Sequence, residues 1–429
     1  MTILHRSAKS LWSAGTTNFR VLAVTGMLWT IPLSLTEPYR FLFCHRLGLS
    51  ESALGWLVSA DLVLRACGML VSGWLLRRVG AKRLLIVADI LSWVAPYLLF
   101  ATAQGPHQAG FSLVLLSLNA FASTPYLCLL AEGAPGATRS RAFAFLNLCN
   151  ILPGALLPWI AADLAEAHAF LPTLRWLFGA QALLMAVGIF LRSRILQDLE
   201  PDARALHERP SLVRVLRSLV RSPRFRRIWP LLLFQGALQG AWNAWSAIYL
   251  TGTLGLPDRT PGWNAQISAA ALALSSLLLL PRIPEHLIPR AATVSLVVAF
   301  LASLAWLAPL ALEMVLLVGA VQGLCAGVHI SALASLLADA LPRRSRDHGF
   351  ALSFVGVHLG VAALMALGGG YLQANPTGFP ALIILILGLQ AVVGTQLVAF
   401  RTRRTAHSSA PVGGNPPSGS PDPPFRKTA

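Results

Sequence analysis

From Val21 onward the chain alternates long apolar runs with short polar turns. A helix rises 1.5 Å per residue, so about 20 apolar residues cross a hydrocarbon core about 30 Å thick. Runs of that order fall near Val21–Phe43, Ala53–Leu76, Leu84–Ala103, Gly110–Ala131, Ala142–Ala162 and Pro172–Leu191. They return near Ile228–Leu250, Asn264–Leu280, Ala291–Leu310, Glu313–Leu337, Gly349–Leu372 and Phe379–Phe400. Inside a bilayer the backbone must satisfy its own hydrogen bonds, which makes such runs helices. The pattern predicts an all-α integral membrane protein: twelve transmembrane helices in two six-helix halves, residues 21–191 and 228–400.

The halves carry one mark of a shared origin. Leu130–Phe145 overlays Leu337–Leu352 without a gap, pairing Leu130 with Leu337, Pro135 with Pro342, Arg139 with Arg346 and Phe143 with Phe350. Glu132 and Asp339 keep their charge, and Thr138 and Ser345 their hydroxyl. Each copy is a short charged turn between two apolar runs, so the duplication suggests pseudo-symmetric halves. The polar interval 192–227 divides them. In it, Leu212, Val213, Leu216 and Leu219 oppose Arg214, Arg217 and Arg221 on a helical projection. That pattern suits a helix on anionic lipid headgroups, and a solvated linker helix fits it equally. Residues 1–20 form a short polar lead, and 401–429, rich in Pro, Gly and Ser, are expected to be a disordered tail.

Composition agrees with a membrane class: 55% of the 429 residues are hydrophobic and 12% charged, against roughly 25% charged in soluble domains. A net charge of +17 would point a soluble protein toward nucleic acid, but here position decides. Of the 34 Lys and Arg, all but Arg40, Arg46, Arg65, Arg175 and Arg259 fall on one side of the predicted spans. Such bias marks the cytoplasmic side, so both termini are expected there and no nucleic-acid partner is. The five cysteines form no C-x-x-C pair, so neither a disulfide framework nor a metal site is expected. Residues 1–20 show no apolar core ahead of a cleavage site, and Val21 onward reads as a retained first span.

Between the second and third runs stands Gly73-Trp-Leu-Leu-Arg77-Arg78-Val79-Gly80-Ala81-Lys82-Arg83. With the six-plus-six plan, this turn resembles the major facilitator superfamily of secondary transporters. Gly73, Arg78, Gly80, Lys82 and Arg83 match that family's loop, while Arg77 stands where the family has an acid. The resemblance implies a fold of two rocking halves around a midplane cavity, with this turn as a gate. Because the acid latches one half to the other in the family, Arg77 implies a weaker or differently wired latch. Glu132 would pair with Arg78 or Arg139, and Asp339 with Arg346. The resemblance also implies a monomer in the plasma or inner membrane, a small-molecule substrate and coupling to protons.

Charges inside apolar runs are costly and mark pathways by default. Glu37, Asp61 and Asp89 are candidates for taking up a proton, with Arg65 tuning one of them or holding an anionic substrate. Asp61 and Arg65, four apart on one helix face, equally suit a static pair. Gln235, Gln239, Asn243 and Ser246 share a face of the seventh run, with Trp242 and Trp245 alongside. Amides beside rings can hold a polar solute such as a sugar, or can join helices. Gln239 and Asn243 weakly resemble the sugar-porter pattern. His329 and His358 are further binding candidates, or packing residues. Gly319, Gly323 and Gly327, in steps of four, allow a close helix approach.

Nothing resembles a catalytic triad or a nucleotide-binding loop, so no enzyme and no cofactor are expected. The expectation is a secondary active transporter of a small organic solute. Efflux of lipophilic compounds is the alternative within that class, and a non-transporting sensor or assembly protein the alternative outside it.

Overall fold

In a computed structural model the described residues are 16–133, 149, 151–198, 217, 221–279, 282–284, 287–308, 310–340 and 346–408. Among them the side chains of 77, 131–133, 224, 289, 334–336, 338–340, 346–353 and 396–408 lie outside the described set. The described chain is helical, without a strand. Helices α1 (Thr17–Arg46), α2 (Glu51–Leu76, continuing to Val79), α3 (Ala81–Thr102) and α4 (Pro106–Leu130) come first. The described part of α5 is Pro158–Ala167, and α6 is Phe170–Ile195. In the second half are α7 (Pro223–Ile248), α8 (Thr260–Leu279), α9 (Arg290–Leu307), α10 (Leu312–Ala340), α11 (Arg346–Ala374) and α12 (Phe379–Ser408). Among the described residues nine helices are long and apolar enough to cross a membrane.

Polar groups within these helices close on nearby backbone. Thr25, Thr30 and Thr36 each donate to a carbonyl four residues earlier on α1. Ser50 caps α2 by accepting the Ala53 N–H, and Ser222 caps α7 by accepting that of Phe225. Prolines enter where an N–H is already free, at Pro106, Pro158, Pro223 and Pro261. Pro32 sits inside α1, while Pro38 belongs to a tight turn, Glu37–Tyr39, that re-aims its last two turns. Large side chains face outward all around: Trp56, Trp176 and Leu367 are 64%, 81% and 72% exposed. On a soluble protein such a surface would aggregate; here it meets lipid.

The two halves repeat an aromatic cluster as well as a turn. In the first half Phe43 (α1), Phe100 (α3) and Phe178 (α6) pack with centroids 5.0–6.3 Å apart. In the second, Tyr249 (following α7), Trp306 (α9) and Phe379 (α12) meet at 5.1–6.3 Å. These are corresponding helices of the two halves, so each half is anchored by rings at the same place. The clusters lie toward the end of the bundle where α1 finishes and α8 begins.

That end is shut by contacts between the halves. Arg46 makes a two-pronged pair with Asp258, and Glu166 meets Arg259 at 3.1 Å. The Tyr39 hydroxyl accepts the Gly262 N–H at 3.1 Å, and Gln266 accepts that of Trp159. Beneath them α2 and α11 cross backbone to backbone: a Cβ on Gly55 would lie 2.6 Å from the Met365 carbonyl oxygen. A Cβ on Gly369 would lie 2.8 Å from that of Glu51. Only glycine permits this crossing.

Candidate functional site

Below the crossing the halves part around a cavity of about 520 Å³. The first half contributes charge to its wall. Arg40 is set by the turn after Thr36 and held by Glu37, whose Oε2 accepts from its Nη1 at 2.6 Å. Asp61 and Arg65 sit one turn apart on α2, with the Arg65 Nε 2.9 Å from both carboxylate oxygens. Arg65 also donates to the Leu116 carbonyl of α4 at 3.4 Å. The second half contributes Gln235, Gln239 and Asn243 on α7, and His358 on α11. The four-residue steps along α7 put the three amides on one stripe, with Gly236 and Gly240 beside it. Leu333, Leu337 and Phe354 carry the wall away from the sealed end.

This wall has two guanidinium groups and one carboxylate, with Glu37 one step behind Arg40. The Nε of Arg40 is buried without a hydrogen-bond partner. The amide row offers donors and acceptors facing those charges across the cavity. A solute with an anionic group and further hydroxyl, amide or amine groups finds both kinds of partner here.

Several sequence expectations change place. Trp242 is not among the cavity-lining residues; its ring packs against Trp306 and Phe379 at 5.5 and 5.8 Å. It belongs to the aromatic anchor, because a residue one step from the amide stripe is turned about 100° away. His329 is 2% exposed and meets the Gln235 Oε1 at 2.7 Å, while Gln390 Nε2 donates to that same oxygen at 2.9 Å. With the oxygen as acceptor, His329 carries its proton on Nε2 and fixes Gln235 from behind. His358 lines the cavity, with Nδ1 2.6 Å from the Phe354 carbonyl.

Asp89 lies elsewhere. It meets Arg192 at 2.8 Å, and both residues are 0% exposed. The sequence places Arg192 in the polar interval, yet the structure puts it inside α6, pointing into the first half. Its Nε donates to the Thr25 hydroxyl and its guanidinium lies 3.6 Å from the Trp29 ring centroid. A buried aspartate demands a cation, and Arg192 was the basic residue within helical reach of that layer. Arg175, also off the basic side, donates twice to the Ala103 carbonyl that ends α3.

At the turn between α2 and α3, Gly80 has φ +87°, a conformation side chains disfavour. Asp198, just past α6, accepts the Lys82 N–H at 3.1 Å and so caps the start of α3. A Cβ at Gly80 would lie 2.8 Å from Asp198 Oδ2. Arg78 lies over the Trp74 ring at 4.2 Å, and among the described residues no atom lies within 4 Å of where a Cβ on Gly73 would be. Sequence reasoning missed Asp198; an acid soon after the sixth span, opposite a helix start, was the available signal. The side chains of Arg77, Glu132, Asp339 and Arg346, and all of Arg139, lie outside the described residues.

Comparison with known proteins places this geometry. The xylose-proton symporter, a D-xylose carrier, overlays with a TM-score of 0.64 at 17% identity, over 90% of this chain and 96% of its own. The nucleoside transporter NupG gives 0.66 at 15%, over 90% and 99%. A mutant of the peptide transporter POT, crystallised with sulfate, gives 0.69 at 15%, over 92% and 98%. At such identities the likeness is one of fold. No curated protein matches the chain by sequence. The family model of the Major Facilitator Superfamily, however, matches residues 19–312, well over half the chain. The two-bundle fold, the cavity between its halves and this match agree: the chain belongs to the Major Facilitator Superfamily and is a multi-pass membrane transporter, not an enzyme.

Proposed function

We propose that this chain carries a small polar organic solute bearing a carboxylate, or a similar anionic group, by alternating access. The observation behind this reading is the cavity wall itself: Arg40, Asp61 and Arg65 on one half face Gln235, Gln239 and Asn243 on the other. A solute bridging the two sets ties the halves together, which couples occupancy to their rocking. Arg40 receives the anionic group, because it is a guanidinium on the cavity wall. The amides read the remaining polar groups. Asp61 carries the coupled proton: protonated, it frees Arg65 for substrate; ionised, it reclaims Arg65. Movement is thus driven by the proton gradient, and each turnover resets one short ion pair.

The basic bias of the loops sets the orientation in this reading. Both termini lie in the cytoplasm, the Arg46–Asp258 seal faces outward, and the cavity opens inward. The protein works as a monomer in the plasma or inner membrane.

The test is uptake into proteoliposomes under an imposed proton gradient. The panel holds amino acids, small peptides, organic acids, neutral sugars and lipophilic cations. Carboxylate-bearing solutes should accumulate, Asp61→Asn should abolish accumulation while leaving counterflow exchange, and Arg40→Gln should raise KM for the anionic solute. Accumulation of sugars unchanged by Arg40→Gln would assign the cavity to a neutral solute. Flux of lipophilic cations alone would assign it to efflux. Ligand binding with no flux of any kind would make the chain a sensor.

A further inference from the structure

Among the described lining residues of the central cavity, those from α10 and α11 are apolar but for one. Ile330, Leu333 and Leu337 come from α10, and Phe354, Val357 and Val361 from α11, with His358 set among them. The hydrogen-bonding polarity of His358 is fixed by the helix it stands on. Its Nδ1 lies 2.6 Å from the Phe354 carbonyl oxygen, one turn earlier. A carbonyl oxygen can only accept, so Nδ1 carries the ring proton. An imidazole of ordinary pKa, about 6.5, is neutral on the basic side of pH 7, and its second nitrogen is then a bare acceptor. That nitrogen, Nε2, lies across the ring from the carbonyl and has no partner among the described residues. It is not one of the buried unmatched atoms, and the half-buried ring keeps surface on the cavity.

An acceptor that cannot donate, alone on an apolar surface, selects the group that meets it. A ketone or ether oxygen would set lone pair against lone pair. An amide N–H brings a carbonyl oxygen with it, and the surrounding leucine, valine and phenylalanine side chains offer that oxygen no donor. An ammonium brings three N–H groups to one acceptor. Asp61 does not make up the difference, because both its oxygens already accept from the Arg65 Nε. Of the two charges that act on the His358 ring, Arg65 and Asp61, Arg65 acts the more strongly, which opposes a cation there. A hydroxyl has one proton to give, and Nε2 alone matches it.

We propose that His358 is a specificity-determining residue of the central cavity and that the solute is a hydroxy carboxylic acid whose hydroxyl donates to His358 Nε2. This rests on the reading above, in which Arg40 receives the carboxylate. Arg40 belongs to the first half and His358 to the second, so a solute with both groups ties the halves together. The parent acid, lacking the hydroxyl, engages Arg40 and leaves His358 unmatched.

The probes are lactate, 3-hydroxybutyrate, 4-hydroxypentanoate and 5-hydroxyhexanoate, each beside the parent acid, the oxo acid and the amino acid of the same skeleton. They are titrated calorimetrically into the purified full-length protein in nanodiscs at about pH 8, where imidazole is neutral. At one chain length or more the hydroxy acid should bind about tenfold tighter than its parent, with the oxo and amino acids no tighter than the parent. His358→Phe should bring the hydroxy acid down to the affinity of its parent. His358→Gln, whose amide both accepts and donates, should keep the preference and admit the oxo acid, and it carries the test if His358→Phe does not fold. Carboxylates that bind and weaken with Arg40→Gln, yet show no hydroxyl preference at any length, would overturn the role of His358 alone. So would a preference that survives His358→Phe. An amino acid that binds tighter than its hydroxy analogue would overturn the hydroxyl assignment. Failure of every carboxylate to bind would overturn the reading of Arg40, and this inference with it.

Discussion

At the scale of the residue, the cavity shows how a few buried charges are kept affordable by their neighbours. Arg40 is tied by Glu37, Arg65 by Asp61, and Arg192 by Asp89, so each of these three arginines has its acid within 2.6–2.9 Å. Breaking one such pair from one side leaves a charge stranded, which is why one-sided substitutions are severe where a pair is deeply buried. Asn243 acts through hydrogen bonds alone. Asn243→Ala is expected to weaken solute binding by about 1–3 kcal/mol, the cost of an unmatched polar partner. Isothermal titration of the purified protein with its solute measures this, and an unchanged affinity would return Asn243 to helix packing. Gly80 is a backbone requirement, with φ +87° and Asp198 against its missing Cβ. Gly80→Ala should cost about 1–3 kcal/mol of stability, because φ +87° with ψ 156° is a region essentially reserved for glycine. A thermal melt equal to wild type would show that the turn relaxes freely.

At the scale of the element, glycine rows fix where helices touch. A Cβ on Gly319, Gly323 or Gly327 of α10 would run into Asn264, the Ser268 backbone and Ser275 of α8 respectively. Ser268 donates to the Gly319 carbonyl at 3.0 Å across that contact, and Ser276 to that of Gly327 at 3.4 Å. Close backbones and small-residue hydrogen bonds hold helices together in lipid, where apolar side chains gain nothing by meeting each other. Gly323→Val should therefore force α8 from α10 and destabilise the second half by about 1–3 kcal/mol, the usual penalty for overpacking. The check is a melt of the variant beside Gly370→Val, where no described atom lies within 4 Å of the added Cβ and stability should stay near wild type. Equal losses in both would refute a contact-specific role for the row.

At the scale of the whole molecule, one end is locked by several weak ties instead of one strong one. Arg46–Asp258 and Glu166–Arg259 are partly exposed, and pairs of that kind contribute roughly 0–1 kcal/mol each. A lock of small increments can open under the modest free energy of solute binding, which a rocking transporter needs. Arg46→Gln combined with Arg259→Gln should shift the population toward opening at this end by roughly two- to tenfold, since 1.4 kcal/mol is a factor of ten. The readout is the rate at which a cysteine placed at Leu57, on the cavity wall, reacts with a membrane-impermeant maleimide added from that side. High salt should move wild type the same way. A rate untouched by either change would mean that the Gly55–Gly369 crossing alone sets the closed state.

Apolar run length and the demand that a backbone in lipid bond to itself determined the all-helical class, and the Gly73–Arg83 turn pointed to the family. Local spacing gave what lies within one or two turns: Asp61 with Arg65, the α7 amide stripe and the glycine steps of α10. Such features need only the 3.6-residue period, which the sequence carries explicitly. The tertiary structure decided everything that joins distant segments. Asp89 and Arg192 stand 103 residues apart, and Arg192 looked like one more basic residue beside Arg194 until α6 turned it inward. Trp242 left the site for an aromatic anchor because its neighbours come from α9 and α12. Helix–helix register in lipid rests on shape and a handful of hydrogen bonds, and these have no period along the chain.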